Sequence, residues 1–445
     1  MNLLIHGFHA PEDLNALTRV AKLPDVKHVI HVFAPPNSLN QNHFNIPIES
    51  IAFNHAGNGF YHLKDLVPVD GSLIEKMFPT EAIVMKQMDR LEIYDSQYSS
   101  YSARRNLYMK HLRFWNHVLI TRRIDLFIGS NIPHEVYDFV ILGLCRIYGI
   151  ATHFFFQSAI PCTVHPVNDY THFTPRLAAA LAHYRDIHHK STCNEICLTP
   201  ILQREWDRQS KNTIPFYMEQ KPRFHPNNSL LNKEYDSLTQ DVERDLRYIY
   251  FPLHYQPEIT TSPLGGPFVD QINALALLGR HIPPHYKLVV KEHPVQTWVG
   301  RGHGFYQDII DQCKNVIFVK QSTSSHELIK NAVAVATITG TAGWEALFRK
   351  KPVLLFGNIF YELAPGVFKI SSSSDCQNAI NDIINNRFCY DERLLKLFLL
   401  ALESVSITTI VDSLYRKESC IATKTLEDNL VQHLSSVIDQ VKYLH

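Results

Sequence analysis

Several short polar segments interrupt apolar runs in this chain, and each gathers residue types that bind anions or move protons. Lys291-Glu292-His293-Pro294 ends the run Tyr286–Lys291. An imidazole at a strand end can donate to a phosphate oxygen or protonate a leaving group. Pro294 stops the strand and fixes the loop beyond it. Arg301, between Gly300 and Gly302, could take a phosphate in bidentate fashion. Gln321-Ser322-Thr323-Ser324-Ser325 sits where a strand gives way to a helix. Its hydroxyls and the first helical amides could hold an anion, while Ser324 and Glu327 also match a capping pattern. Thr339-Gly340-Thr341-Ala342-Gly343-Trp344-Glu345-Ala346 is built of small residues that leave backbone amides open to a ligand. Glu345 is expected in the first helical turn, accepting from a ribose hydroxyl or simply favouring the helix dipole. The segment lacks both the Gly-Lys-Ser of a Walker loop and the G-x-G-x-x-G fingerprint. The long segment 251–266 ends in Gly-Gly and offers Gln256 and Glu258 as hydrogen-bonding groups.

The first half has one comparable loop, Asn131-Ile132-Pro133-His134-Glu135. Glu135 could serve as general base or nucleophile, with His134 beside it to orient it. Asp138, one turn on, could share the site. A first helical turn with favourably placed acids accounts for the same residues. As a base, Glu135 needs a carboxyl raised by desolvation.

The elements that position these loops alternate. Residues 2–5, 26–33, 124–130 and 152–158 read as strands, and Val136 to Tyr148 as a helix ended by Gly149. In the second half, strands at 247–253, 286–291, 315–319, 332–338 and 352–356 alternate with helices at 269–278, 305–313, 324–331 and 342–349. Such βαβ alternation predicts parallel sheets, with ligands at the carboxyl ends of the strands. The fold class is α/β, two Rossmann-like domains facing across a cleft. The expected division is 1–225 (with a polar linker over about 205–246), 247–420, and a helical tail at 421–445.

Composition narrows the function. The chain has 445 residues, 45% of them hydrophobic, with 43 basic and 43 acidic residues. That balance gives no global electrostatic reason to bind nucleic acid or an acidic membrane. Eight scattered cysteines read as reduced thiols. His188, His189, Cys193 and Cys197 are too loosely spaced for a zinc site, so no metal is expected. There is no signal-like start and no membrane-length apolar run. Leu394 to Leu402 reads as a buried helix. A cytoplasmic protein is expected, or one peripheral at the inner face of the membrane.

Strand-Glu-His-Pro, a later serine loop, then T-G-T-A-G-W-E-A-L followed by K-P-V-L-L-F-G resembles the capsule-polysaccharide-type glycosyltransferases. These are similar to bacterial Kdo transferases and, more remotely, to bacterial sialyltransferases with their His-Pro motif. The resemblance covers mainly residues 247–360, and Pro-His-Glu at 133–135 also looks like that group. It implies a GT-B fold, with donor on the C-terminal domain and acceptor on the N-terminal one. It implies a CMP-activated donor such as CMP-Kdo, His293 at the donor phosphate, and Ser322 and Ser324 in a phosphate-binding serine motif. The expected function is transfer of a sugar from a nucleotide-sugar donor to a glycan or polysaccharide acceptor. This needs no cofactor and no metal, and takes place beside a membrane-bound assembly complex. The alternatives are a nucleotide-sugar 2-epimerase on the same scaffold and a non-catalytic glycan-binding or assembly protein.

Overall fold

The computed structural model describes the chain except residues 34–45, 93–94, 172, 174, 191–195, 212–223, 413–414, 417–418, 420 and 444–445. The strands are β1 (Asn2–His6), β2 (His28–Val32), β3 (Ile48–Ile51), β4 (Leu126–Gly129), β5 (Ala151–Gln157), β6 (Thr163–Val167), β7 (Tyr248–Pro252), β8 (Lys287–Lys291), β9 (Val316–Val319), β10 (Ala334–Thr337), β11 (Val353–Leu355), β12 (Val367–Lys369) and β13 (Ile407–Thr408). They form two sheets in two compact units. Unit 1 is Met1–His172 with Val405–His445, and unit 2 is Phe173–Ser404.

Unit 2 carries a six-stranded sheet in the order β12-β11-β10-β7-β8-β9, every pair parallel. A parallel sheet is covered on both faces, so its strands are continuously apolar. Leu288, Val289 and Val290 in β8, and Ala334, Val335 and Ala336 in β10, are fully buried. All strands point the same way, so the loops after β7, β8, β9 and β10 leave from one edge. The expected strand–helix alternation is present, with helices at Gln271–His281, Phe305–Gln312, Ser325–Asn331 and Thr341–Phe348.

Unit 1 carries the order β13-β6-β5-β4-β1-β2-β3. The pairs from β5 to β3 are parallel, whereas β5–β6 and β6–β13 are antiparallel. The expected β4–helix–β5 unit is there. Its helix, Tyr137–Tyr148, ends on Gly149 at φ +68°, whose N–H returns to the Cys145 carbonyl. Both units are therefore Rossmann-like, the fold class expected from the sequence.

The division of the chain differs from the expected one. The polar middle is not all linker. Helix Pro200–Ser210 is bound to unit 2, where Trp344 Nε1 donates to Glu205 at 2.8 Å and Thr199 Oγ1 to Glu403 at 2.6 Å. Helix Asn228–Leu238 buries Leu231 and Tyr235 in the same core. The tail does not follow unit 2 but returns to unit 1. Helix Thr423–Lys442 presents Leu430, Leu434, Val437, Ile438 and Val441 to Leu17, Val20 and Val29. A heptad-like apolar stripe needs a partner face, and helix Pro11–Ala21 supplies it. The apolar run near 394–402 lies in helix Glu392–Ser404, which buries Leu395, Phe398, Leu399 and Leu402 as expected. Cys193 of the loose His/Cys cluster lies outside the described residues. Among the described residues no helix is long and apolar enough to cross a membrane.

Candidate functional site

Half of the sequence-predicted donor residues in unit 2 turn inward. Arg301 lies in the interior against Glu292, with side chains 0% and 1% exposed. Its Nε and Nη2 reach the two Glu292 oxygens at 2.8 and 3.0 Å. Nη1 donates to Gln256 Oε1 at 2.8 Å and to the Gly300 carbonyl at 3.3 Å, and Nη2 donates to the His254 carbonyl at 2.7 Å. The guanidinium also lies 4.6 Å over the Phe305 ring. All five donors have partners, so Arg301 does not reach for a phosphate as expected. Glu292 takes a further bond from Tyr306 Oη at 2.7 Å. Gln256 is likewise locked, donating to the Val269 carbonyl and accepting from Gln271. These three residues brace the loops after β7 and β8.

Thr339 and Gly340 also look inward. The Thr339 amide donates to His254 Nε2 at 3.0 Å, and its hydroxyl to the Thr260 carbonyl at 2.6 Å. The Gly340 amide donates to Thr337 Oγ1 at 3.0 Å. A Cβ at Gly340 would stand 2.8 Å from that oxygen, which is why the position needs glycine. The amides left for a ligand are those of Thr341 and Ala342, in the first turn of helix Thr341–Phe348. Glu345 is not in that first turn, as expected from the sequence, but one turn further in. It is buried 3.7 Å from His326 Nδ1, and burial pushes its carboxyl up to about 7 against the pull of Arg349 and Arg208.

His293, Pro294, Glu258, Ser322 and Ser324 stay at least partly open to solvent. His293 stacks on Tyr255 with ring centroids 5.8 Å apart. Its Nδ1 accepts from the Val295 amide at 3.4 Å, which makes Nε2 the protonated nitrogen. Burial, joined by Arg301 and Lys291 and opposed by Glu292, brings its pKa down to about 4. At neutral pH it is a neutral donor rather than an imidazolium acid. Ser324 caps helix Ser325–Asn331 by accepting from the Glu327 amide at 3.3 Å.

The serine loop is tied to the His-Pro loop by a residue outside the expected set. Lys291 Nζ, at the end of β8, donates to the Thr323 carbonyl at 2.7 Å and to Ser325 Oγ at 2.9 Å. Tyr250 Oη, from β7, donates to the same Ser325 Oγ at 3.3 Å. The available signal was a lysine following the apolar run Leu288, Val289 and Val290 at the ligand-side end of a strand.

In unit 1 the 131–138 turn is held from within. Asp138 accepts from the amides of His134 at 2.9 Å and Glu135 at 2.7 Å. Val136 adopts φ +73°, a strained conformation for a β-branched residue. Glu135 Oε1 lies 2.6 Å from Arg90 Nη1 and 3.3 Å from His134 Nε2. Burial would raise the Glu135 carboxyl, but Arg90, His134 and His6 outweigh it and hold it at about 2. That is the reverse of the raised base expected. The raised group is Asp138, pushed by burial to about 6. Arg90 was not foreseen, because it is 45 residues away in sequence. Nearby, His6 Nε2 pairs with Tyr137 Oη at 2.9 Å.

A family described as "Capsule polysaccharide biosynthesis protein" matches residues 264–381. The capsule polysaccharide export protein KpsS of Escherichia coli is 32% identical over 102 residues, covering 21% of this chain and 25% of KpsS. The chain thus spans about a quarter of the length of that curated relative. Among solved structures, the Thermosulfurimonas dismutans KpsC beta Kdo 2,7 transferase aligns at 10% identity and a TM-score of 0.40, over 97% of this chain and 99% of that one. The UDP-GlcNAc 2-epimerase of Methanocaldococcus jannaschii aligns at 12% identity and a TM-score of 0.30, over 90% and 98%. The His-Pro loop, the serine loop and the Thr-Gly-Thr-Ala-Gly-Trp segment all fall inside residues 264–381, and over that stretch the chain is similar to the capsule polysaccharide biosynthesis proteins.

Proposed function

We propose that this chain is a glycosyltransferase of capsule polysaccharide biosynthesis, taking a sugar from a nucleotide-activated donor, a CMP-sugar such as CMP-Kdo, to a glycan acceptor. One observation carries the reading. The loops after β8, β9 and β10 leave one edge of one parallel sheet, and they bring a neutral imidazole donor, hydroxyls and helix-start amides to it within the matched stretch. Such groups suit a phosphate and its leaving charge. Unit 2 then holds the donor, through His293, Ser322, Thr323, Ser324 and Thr341. Unit 1 holds the acceptor at the His134–Glu135 turn.

An ionised Glu135 suits a nucleophile or a stabiliser of positive charge on the sugar better than a base. The strain at Val136 supports a functional turn, since such conformers persist where surrounding structure enforces them. In this reading the protein works at the cytoplasmic face of the membrane, beside an assembly complex that receives the product.

The test is a thermal-shift series with CMP, UDP and GDP in chelator. CMP should raise the melting temperature, since a ligand at about 100 times its Kd stabilises by about 2.7 kcal/mol. CMP should then be released from a CMP-sugar only when a glycan acceptor is present. Isomerised sugar without acceptor would replace the reading with the epimerase. No shift with any nucleotide would overturn it.

A further inference from the structure

We propose that Lys291 is the cation that meets the nucleotide's phosphate in unit 2. This rests on the nucleotide-sugar reading and names the residue that would neutralise the leaving charge. The argument is one of unmatched charge. Lys291 is only 8% exposed. Its ammonium has three donors, and the two with partners reach the Thr323 carbonyl and the Ser325 hydroxyl, neither of which carries charge. Among the described residues no carboxylate lies within 4 Å of Nζ. Removing an ammonium from water without a counter-ion is costly, so such a group marks a place where an anion completes the pairing. The other buried cation of these loops, Arg301, is already matched by Glu292.

Position agrees with this. Lys291 ends β8 at the ligand-side edge and stands between the His-Pro loop and the serine loop. Ser325 Oγ accepts from both Lys291 and Tyr250, which leaves its own proton to donate to the same ligand. The titratable groups around Lys291 are Glu345 from helix Thr341–Phe348, His326 from helix Ser325–Asn331, His293 from the following loop and Tyr250 from β7. Burial brings Lys291 down to about 8, opposed by Glu345. A bound dianion favours the charged amine, so affinity should fall as pH rises through that value.

The experiment compares CMP with cytidine by calorimetry, on wild type, Lys291→Met and Lys291→Arg. Lys291→Met should lose about 10- to 100-fold in CMP affinity, the range for a hydrogen bond to a charged group, and leave cytidine unchanged. Lys291→Arg should recover part of the CMP loss. For wild type, raising the pH from about 7 to about 9.5 should weaken CMP and spare cytidine, because the phosphate, with a second pKa of about 6, is a dianion throughout. Equal losses for CMP and cytidine would make Lys291 a loop anchor and overturn the proposal. If Lys291→Met does not fold, a pH-independent CMP affinity in wild type overturns it. If wild type binds neither ligand, the nucleotide reading has failed, and inorganic pyrophosphate tests Lys291 alone. Binding of pyrophosphate that Lys291→Met abolishes upholds the cation, and no binding removes it.

Discussion

Each unit contains an arginine–glutamate pair beside a histidine at the loop end of its sheet, and the two pairs do different work. Arg301 and Glu292 are sealed in unit 2, with every guanidinium donor occupied and an aromatic ring covering the cation. Arg90 and Glu135 in unit 1 are 12% and 23% exposed, and Glu135 shares a strained turn with His134. The first pair holds loops in shape. The second keeps a carboxylate ionised where another molecule can reach it. The difference teaches that the pairing of residue types is neutral between support and chemistry, and that burial and the inventory of satisfied donors decide.

The largest expected effect would break the comparison on the structural side. Arg301→Met leaves Glu292 buried without its cation. Removing one partner of a buried pair costs about 3–5 kcal/mol, so the variant should unfold at much lower denaturant. Replacing both, Arg301→Met with Glu292→Leu, should recover most of that loss, since a well-packed apolar pair can be as stable as the ions. A single variant with wild-type stability would show that the pair is not a brace.

This also marks what the sequence could and could not tell. The βαβ order was legible because apolar runs of strand length and amphipathic helices alternate, and that rhythm depends on local chemistry alone. The short edge strands β3, β12 and β13 were not, because two to four residues carry too little pattern. The antiparallel β6 follows a tight turn after β5 with no hairpin signature in its residues. The return of helix Thr423–Lys442 to unit 1 depends on which apolar face it meets, and sequence does not say which. In the sites, the loops were legible but the direction of each side chain was not. Arg301 and Glu292, nine positions apart, look like ligand groups until the loop between them closes on itself. Lys291 was readable as part of its loop, yet its value lies in the charge missing around it.

The next effect sharpens the functional side. Glu135→Gln keeps shape and removes charge. Transfer to acceptor should fall at least about 100-fold, the lower end for loss of a reacting or charge-stabilising group. On the proposed reading CMP affinity should change by less than about 1 kcal/mol, since the groups proposed to hold it belong to unit 2 and share no hydrogen-bond partner with Glu135. Transfer that survives would move the chemistry to another unit 1 carboxylate. CMP binding that disappears would mean that the donor and acceptor roles of the units are exchanged.

The smallest effect concerns acid stability, and its sign follows from the Arg90 pair. Glu135 has a pKa of about 2 in the fold against an ordinary value of 4.5. A carboxyl with a depressed folded pKa contributes stability above its unfolded value and loses it as pH falls toward the folded one. The window here runs from about pH 4.5 down to about pH 2. Each unit of pKa difference corresponds to 1.36 kcal/mol, but the side chain is partly exposed, so a contribution of about 1–2 kcal/mol is expected. Wild type should therefore lose more stability than Glu135→Gln as pH drops through that window, measured as the difference in chemical-denaturation midpoints. Arg90→Met should flatten the wild-type slope in the same way, because it removes the cation that holds the carboxylate ionised. If neither variant changes the slope, the ion pair does not operate in solution, and Arg90 does not hold Glu135 ionised.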